Sequence, residues 1–284
     1  MTNPIQHDAP GSAPSTAHAG YLSEMFCSVQ GEGLFLGERQ IFLRTAGCTA
    51  TCSWCDTVYS KAQTPRFVVH DAGYAVGSDE QRWRPNPVAL DDVVGDVVSL
   101  ARAHAPVTTV SLTGGEPLEQ PEFTAALARA LRAKGFRIHL ETAGLHAGAM
   151  RRMIDDVDVI AMDVKLPSAT GVESWDRHRD FLGVLRGTAF DPARNPARTI
   201  FVKVVVDLNG TAAEIDRAAE LVAACGRSIP FILQPESGAL FARGSTLADR
   251  RALLALIDGG ASAAMLRLDT VRIIPQTHKV LHVR

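Results

Sequence analysis

The sequence predicts an α/β fold: an incomplete (β/α)6-type barrel, that is, a partial TIM barrel. Three observations lead there. From residue 91 on, apolar runs of strand length alternate with helical periods. Such alternation implies parallel strands joined by crossover helices. About six units of this kind are present, fewer than a closed barrel needs. Residues suited to chemistry also collect just after the predicted strands, the rim on which such folds carry their sites. The 284 residues show no internal repeat and no second domain boundary, so residues 21–284 read as one core domain.

Composition is that of an ordinary globular protein. Hydrophobic residues make up 46% and charged residues 21% of the chain, enough for a sizeable core. A net charge of -2 argues against a general nucleic-acid binder, which needs a basic face. No apolar run reaches the ~18 residues that span a bilayer. Residues 1–20 are rich in Ala, Pro, Ser, Thr and His and carry no Lys or Arg. They lack the basic and apolar regions of a signal peptide and read as a disordered tail. Reduced thiols with no export signal point to the cytoplasm.

The elements follow in order. Leu22 to Val29 alternates and predicts a strand, Gln30-Gly-Glu-Gly33 turns the chain, and Gln40 to Thr45 is a second strand. Residues 60–88, punctuated by Pro and Gly, read as an insertion forming a lid or hairpin, with a short strand over 66–70. Asp91 to Ala105 is helical, with Val93, Val94, Val97, Val98 and Ala101 on one face. Strand 107–112 is followed by a helix from Pro121 that Gly135 ends. Strand 136–140 precedes a short helix at 149–154, and strand 157–162 precedes a helix at 172–185. A second insertion covers about 186–198, before strand 198–206. Thr211-Ala-Ala-Glu214 is a capping box for a helix to about Ala224. Strand 229–233, a helix at 247–257 and strand 271–274 complete the chain.

Three of the five cysteines lie in Cys48-Thr-Ala-Thr-Cys52-Ser-Trp-Cys55. An odd triplet cannot pair within itself, so a disulfide framework is excluded for it. A structural zinc site wants a fourth ligand, usually from a second close Cys or His pair, and Cys27 and Cys225 are isolated. Three thiolates with an open fourth place suit a cubane iron-sulfur cluster with one unprotected iron. Thr113-Gly-Gly-Glu-Pro117 directly follows a predicted strand. Its glycines permit a sharp turn and close approach of a ligand, and Glu116 is a strand-end carboxylate able to bind an ammonium group.

The C-x3-C-x2-C spacing with Trp54 before the last Cys resembles the signature of radical S-adenosylmethionine enzymes, and Gly114-Gly115-Glu116 resembles their GGE motif. Within that superfamily the chain is similar to the 7-carboxy-7-deazaguanine synthases. The segments that carry this are Val29-Gln-Gly-Glu-Gly33, Arg44, Cys55-Asp56-Thr57 and Gln276-Thr-His-Lys279. Asp163, Lys165, Lys203, Gln234 and Glu236 sit where that family has strand-end residues.

The resemblance implies the cofactors and the reaction. A 4Fe-4S cluster on Cys48, Cys52 and Cys55 cleaves S-adenosylmethionine, and the resulting 5'-deoxyadenosyl radical takes a hydrogen from carbon 6 of 6-carboxy-5,6,7,8-tetrahydropterin. Ring contraction and loss of ammonia give 7-carboxy-7-deazaguanine, so no protein side chain is assigned as the catalyst. Trp54, Gly115, Glu116, Asp163, Lys165, Gln234 and Glu236 would line S-adenosylmethionine. Thr57 would offer a hydroxyl to Mg2+. Val29, Gln30, Gly31, Glu32, Arg44, Thr113, His278 and the terminal Arg284 would surround the pterin. Arg44 suits the substrate carboxylate, since a guanidinium pairs with it bidentately. The resemblance also implies an external electron donor such as flavodoxin or ferredoxin, and a homodimer. One departure stands out: the family often has Glu-Thr-Asn-Gly where this chain has Glu141-Thr-Ala-Gly144.

Plainer readings stand beside these. Arg44 would offset thiolate charge, Thr57 would cap a turn, His278 would be a hydrogen-bonded core histidine in a C-terminal strand, and Lys165 would pair with Asp163. Two other functions share parts of the pattern. One is a radical activase acting on a glycine of a partner protein, with no need of a small-molecule pocket. The other is an electron-transfer or metal-storage module, with no adenosyl chemistry.

Overall fold

The computed structural model describes residues 18–71, 81–104, 106–188, 198–241 and 244–283. The barrel strands are β3 (Arg39–Thr45), β7 (Thr109–Gly114), β8 (Arg137–Thr142), β9 (Val159–Asp163), β10 (Thr199–Val206) and β11 (Phe231–Pro235). They lie side by side in that order, every neighbouring pair parallel. The three-residue strand β12 (Val271–Ile273) adds a short parallel strand beside β11. Five of the six strands predicted after residue 91 are thus barrel strands; the sixth, predicted at 271–274, is the short edge strand β12, and β3 from before residue 91 takes the remaining barrel place.

The amino-terminal side departs from a plain barrel. Strand β2 (Leu22–Val29) is antiparallel to β3, so the 30–38 loop starts from the opposite rim and folds back inward. Strand β4 (Arg66–His70) runs parallel to β2 and forms an antiparallel hairpin with β5 (Gln81–Pro85). The predicted lid or hairpin at 60–88 is therefore a hairpin that extends the sheet; residues 72–80 lie outside the described residues. The predicted tail also ends earlier than residue 20, because β1 (Ala19–Gly20) pairs with β6 (Val88–Ala89). Residues 1–17 lie outside the described residues, as do 189–197 in the second insertion.

The helices are α1 (Leu90–Ala103), α2 (Pro121–Ala133), α3 (Ala147–Met153), the single turn α4 (Pro167–Thr170), α5 (Trp175–Thr188), α6 (Ala212–Cys225), α7 (Ser237–Phe241), α8 (Leu247–Met265) and α9 (Thr277–Leu281), and all but α4 and α9 pack on the outer face. Helix α8 runs eight residues past the predicted end at 257, because Gly259-Gly260 does not stop it. Gly260 is buried in the helix against Ile215, where a Cβ would stand 2.8 Å from Cγ2. Among the described residues no helix is long and apolar enough to cross a membrane.

Each barrel strand alternates with period two, and the two faces differ in kind. Ile41 and Leu43, Val110 and Leu112, Ile138 and Leu140, Ile160 and Met162, and Val202 and Val204 turn outward into one continuous apolar core beneath the helices. On the inner face Val159, Ala161, Phe201 and Ile232 form a separate small cluster with Leu34, Phe35 and Ile274. The residues after Gly33 thus fold back into the barrel and floor it. Gly33 adopts φ +68°, and a Cβ there would stand 2.5 Å from the Phe201 ring, so the turn that seats the floor calls for glycine.

Candidate active site

Above that floor the inner positions become polar: Arg44 on β3, Thr113 on β7, Glu141 on β8, Asp163 on β9, Lys203 on β10 and Gln234 on β11. They line one cleft of about 1120 Å3 including its open mouth. The same cleft is lined by Cys48, Cys52, Trp54, Cys55 and Thr57 of the loop after β3, by Val29 to Glu32, by Gly115 and Glu116, and by Gln276 and His278. The strand-end rule therefore gathers most of the predicted residues onto a single rim.

The three sulfurs face this cleft, each partly buried. They are not pre-drawn into a cage: among the described residues no three His, Cys, Asp or Glu side chains stand at metal-binding separation. Burial pushes the Cys48 thiol up to about 11, and the nearby carboxylates of Glu116 and Glu119 add to this. A metal arriving at these sulfurs would displace protons. The loop is stitched to the barrel at its start, where the Gly47 N–H donates to Ser60 O at 2.8 Å and the Glu116 N–H to Gly47 O at 2.8 Å. A Cβ on Gly115 would meet Gly47 O at 2.1 Å, so the glycine pair is what lets the two loops touch.

Glu116 is buried, and burial raises its pKa against the hydrogen bonds that hold it. It accepts from Thr142 Oγ1 at 2.7 Å, the Ala143 N–H at 2.7 Å and the Leu118 N–H at 3.1 Å. A carboxylate offers about four lone-pair directions, so one remains for an ammonium group. Lys165 Nζ lies 2.8 Å from Asp163 Oδ2 and 4.5 Å from the centre of the Trp54 ring. The plainer ion-pair reading of Lys165 is thus met, and met inside the cleft. Trp54 Nε1, Asp163 Oδ1 and both amide atoms of Gln234 are buried with no hydrogen-bond partner among the described residues.

The other side of the cleft is a paired-charge network. Lys203 contacts Glu32, with Asp163 Oδ2 at 3.7 Å, and Gln276 Nε2 donates to Glu32 Oε1 at 2.7 Å. Burial opposes the Glu32 charge, yet Lys203, His278 and Gln276 outweigh it and hold the carboxyl near 2. Gln30 Nε2 donates to Glu141 Oε1 at 2.8 Å, and the Glu32 N–H donates to Gln30 Oε1 at 3.1 Å. Thr113 Oγ1 donates to Glu141 Oε2 at 2.7 Å. Gln30 and Thr113 therefore hold Glu141. Glu141 was visible only as part of a motif with a missing amide, and the alternation of β8 is the signal that would have singled it out.

Several expectations need correction. His278 lies in the first turn of α9, not in a strand, and packs on Gly31, where a Cβ would stand 2.2 Å from its Nδ1. Its neighbour Lys279 pairs with Asp56 Oδ2 at 2.7 Å, clasping α9 to the cysteine loop. Thr57 does not cap the following turn with its hydroxyl; the turn uses its carbonyl oxygen, and Thr57 Oγ1 lies 3.9 Å from Cys55 Sγ. Glu236 is outside the cleft. Its oxygens accept from the Gly238 and Ala239 N–H groups at 2.6 and 2.7 Å and start α7. Arg284 lies outside the described residues.

Known proteins resemble this chain in sequence and fold. A family model described as the Radical SAM superfamily matches residues 42–190, and that superfamily implies a 4Fe-4S cluster and S-adenosylmethionine. A 7-carboxy-7-deazaguanine synthase from Geobacter sulfurreducens is 36% identical over 264 residues, covering 92% of this chain and 96% of the relative. Another from Archaeoglobus fulgidus is 29% identical, covering 93% of this chain and 98% of the relative. A crystal structure of QueE from Escherichia coli matches 92% of this chain and 95% of its own at a TM-score of 0.57; at 21% identity it speaks for the fold. With a relative this similar over nearly the whole of both chains, the chain belongs to the 7-carboxy-7-deazaguanine synthase family of radical SAM enzymes.

Proposed function

We propose that the chain converts 6-carboxy-5,6,7,8-tetrahydropterin to 7-carboxy-7-deazaguanine with loss of ammonia. The observation that carries this reading is the single cleft on which the cysteine loop, the glycine pair, Arg44 and the 29–32 turn converge. The cysteine loop and glycine pair then lie beside a charged part of the same cleft, which would take a small polar ring. A protein-activating enzyme would have no use for that second part.

Bound cluster and S-adenosylmethionine would supply the one-electron chemistry that yields the 5'-deoxyadenosyl radical, with electrons from an external donor. Cys48, Cys52 and Cys55 would hold the cluster. The unpartnered Trp54 Nε1, Asp163 Oδ1 and Gln234 amide suit a ligand rich in hydroxyl and amino groups. Trp54, Gly115, Glu116, Asp163, Lys165 and Gln234 would therefore take S-adenosylmethionine, with Glu236 reserved for the turn into α7. Arg44 would pair with the pterin carboxylate, Glu141 would accept ring N–H groups, and Val29, Gly31 and His278 would bound the ring. Glu32 and Lys203 would stay ionised as fixed charges, since each holds the other in its charged form. Thr57, with its hydroxyl not used in capping, would offer one oxygen to Mg2+, a hard ion that keeps substrate and water ligands.

The test is an anaerobic assay of iron- and sulfide-reconstituted protein with reductant, S-adenosylmethionine, Mg2+ and 6-carboxytetrahydropterin, read by mass spectrometry. The product and ammonia should form together. Formation of 5'-deoxyadenosine without the product would mean the wrong substrate and favour the activase reading. Cys52→Ala should lose reconstituted iron and both products; full iron loading would exclude it as a ligand.

A further inference from the structure

Arg44 does not stand alone in the cleft. Its Nε donates to Glu24 Oε1 at 2.8 Å, and its guanidinium lies 5.8 Å from the centre of the Phe26 ring. Glu24 is 7% exposed and is reached from two other elements. Tyr59 OH donates to Glu24 Oε1 at 2.6 Å from the turn that ends the cysteine loop. His70 Nε2 lies 3.4 Å from Glu24 Oε2, from the end of β4. Burial works against the Glu24 charge, and His70, Arg44 and Tyr59 outweigh it, holding the carboxyl near 2.

The register explains why these groups meet. Glu24 pairs across the β2–β3 ladder with Arg44 and across the β2–β4 ladder with Val68, two residues before His70. The ladder irregularity between Leu22 and Glu24 turns Leu22 to the outer core, while Glu24 shares a face with Phe26 by ordinary alternation. That position sets a carboxylate behind the arginine rather than in front of it. Arg44 donates to Glu24 from Nε and also lines the cleft, so the carboxylate grips the guanidinium at its stem end.

We propose that Glu24 is a positioning residue that aims the Arg44 fork at the substrate carboxylate. This rests on the assignment of Arg44 to that carboxylate. A guanidinium on a flexible stem loses rotamer freedom when it binds, and one already fixed at Nε loses less. Tyr59 and His70 complete the clamp, so the arginine, the cysteine loop and the β4–β5 hairpin share one carboxylate. The hairpin thereby gains a role that its place at the sheet edge does not suggest.

The experiment measures equilibrium binding of two probes to reconstituted protein loaded with S-adenosylmethionine. The probes are 6-carboxytetrahydropterin and 6-methyltetrahydropterin, which share a ring and differ in the carboxylate. The native protein should prefer the carboxylated probe. Glu24→Gln should weaken that probe about tenfold, the loss of one charge-assisted hydrogen bond, and leave the methyl probe within about twofold. Tyr59→Phe keeps the carboxylate and should move the ratio the same way by less, about two- to threefold. Equal weakening of both probes in Glu24→Gln would make Glu24 merely structural, and an unchanged ratio in both variants would also overturn the proposal. If the native protein shows no preference, the carboxylate assignment of Arg44 fails and takes the proposal with it.

Discussion

The two faces of one sheet obey different rules. The outward side chains of β3 and β7–β11 are aliphatic or aromatic and nearly all buried in one core. The inward ones, one residue away, are Arg44, Thr113, Glu141, Asp163, Lys203 and Gln234. Outside, any apolar residue of similar volume satisfies the helix layer. Inside, every charge must have its named partner, because an uncompensated buried charge costs more than a lost contact. The same strands thus specify stability on one face and chemistry on the other, separated by one step of the pleat.

Two substitutions would sharpen that contrast. Lys203→Met exchanges an inner charge for an apolar residue of similar length. By outer-face logic it should be harmless. By inner-face logic it strands Glu32 and should cost about 3–5 kcal/mol in denaturant unfolding. Adding Glu32→Gln should recover part of that loss, and a double variant no more stable than the single would break the argument. On the outer face Phe231, fully buried, should cost about 3–5 kcal/mol as Phe231→Ala through lost burial and a cavity. There no second change at a charged partner would help, and the preference between carboxylated and methylated pterin should stay put.

The outer face was largely legible in the sequence because period-two alternation and helix periodicity are local signals. Ile41 and Leu43, or Ile138 and Leu140, announce themselves within one strand. The motif residues of the inner face were also legible, since Cys48, Cys52, Cys55 and Gly115 lie at short fixed spacings. What was not legible was pairing at a distance. Lys203 meets Glu32 across 171 positions, and Gln276 meets Glu32 across 244. Glu24 gave no motif at all, because its meaning comes from the register of β2 against β3 and β4. Glu236 went the other way: a carboxylate just after β11 was read as a ligand, while its geometry is that of a turn cap. The helix over Thr277–Leu281 was missed since five residues show too little periodicity to register.

Acid separates the two faces through histidine. His139 on the inner floor lies between the Phe35 and Phe201 rings, and burial lowers its pKa to about 4 despite the nearby Glu141 and Glu38 charges. His178 on α5 is likewise lowered to about 4, chiefly by burial; it accepts from the Lys165 N–H at 3.1 Å and lies 3.3 Å from Gly144 O. In the unfolded chain both titrate near 6.5. On acidification the unfolded state therefore takes the proton first, so this stability is full above 6.5 and drains as pH falls toward 4. Glu24 and Glu32, held near 2 in the fold, act in a lower window, losing their share only below about 4.5. Between pH 6.5 and 4.5 the histidines supply the falling slope, against the opposing proton uptake of Glu116, whose pKa burial raises. At pH 5 each should have cost about 2 kcal/mol relative to pH 7, a loss read by denaturant titration at the two values. His139→Asn should flatten that slope by about half while keeping a polar group toward Gln40, whose Nε2 lies 3.2 Å from His139 Nδ1. A slope unchanged in this variant would mean that the floor of the barrel admits a charge, and that the inner face tolerates more than its pairing suggests.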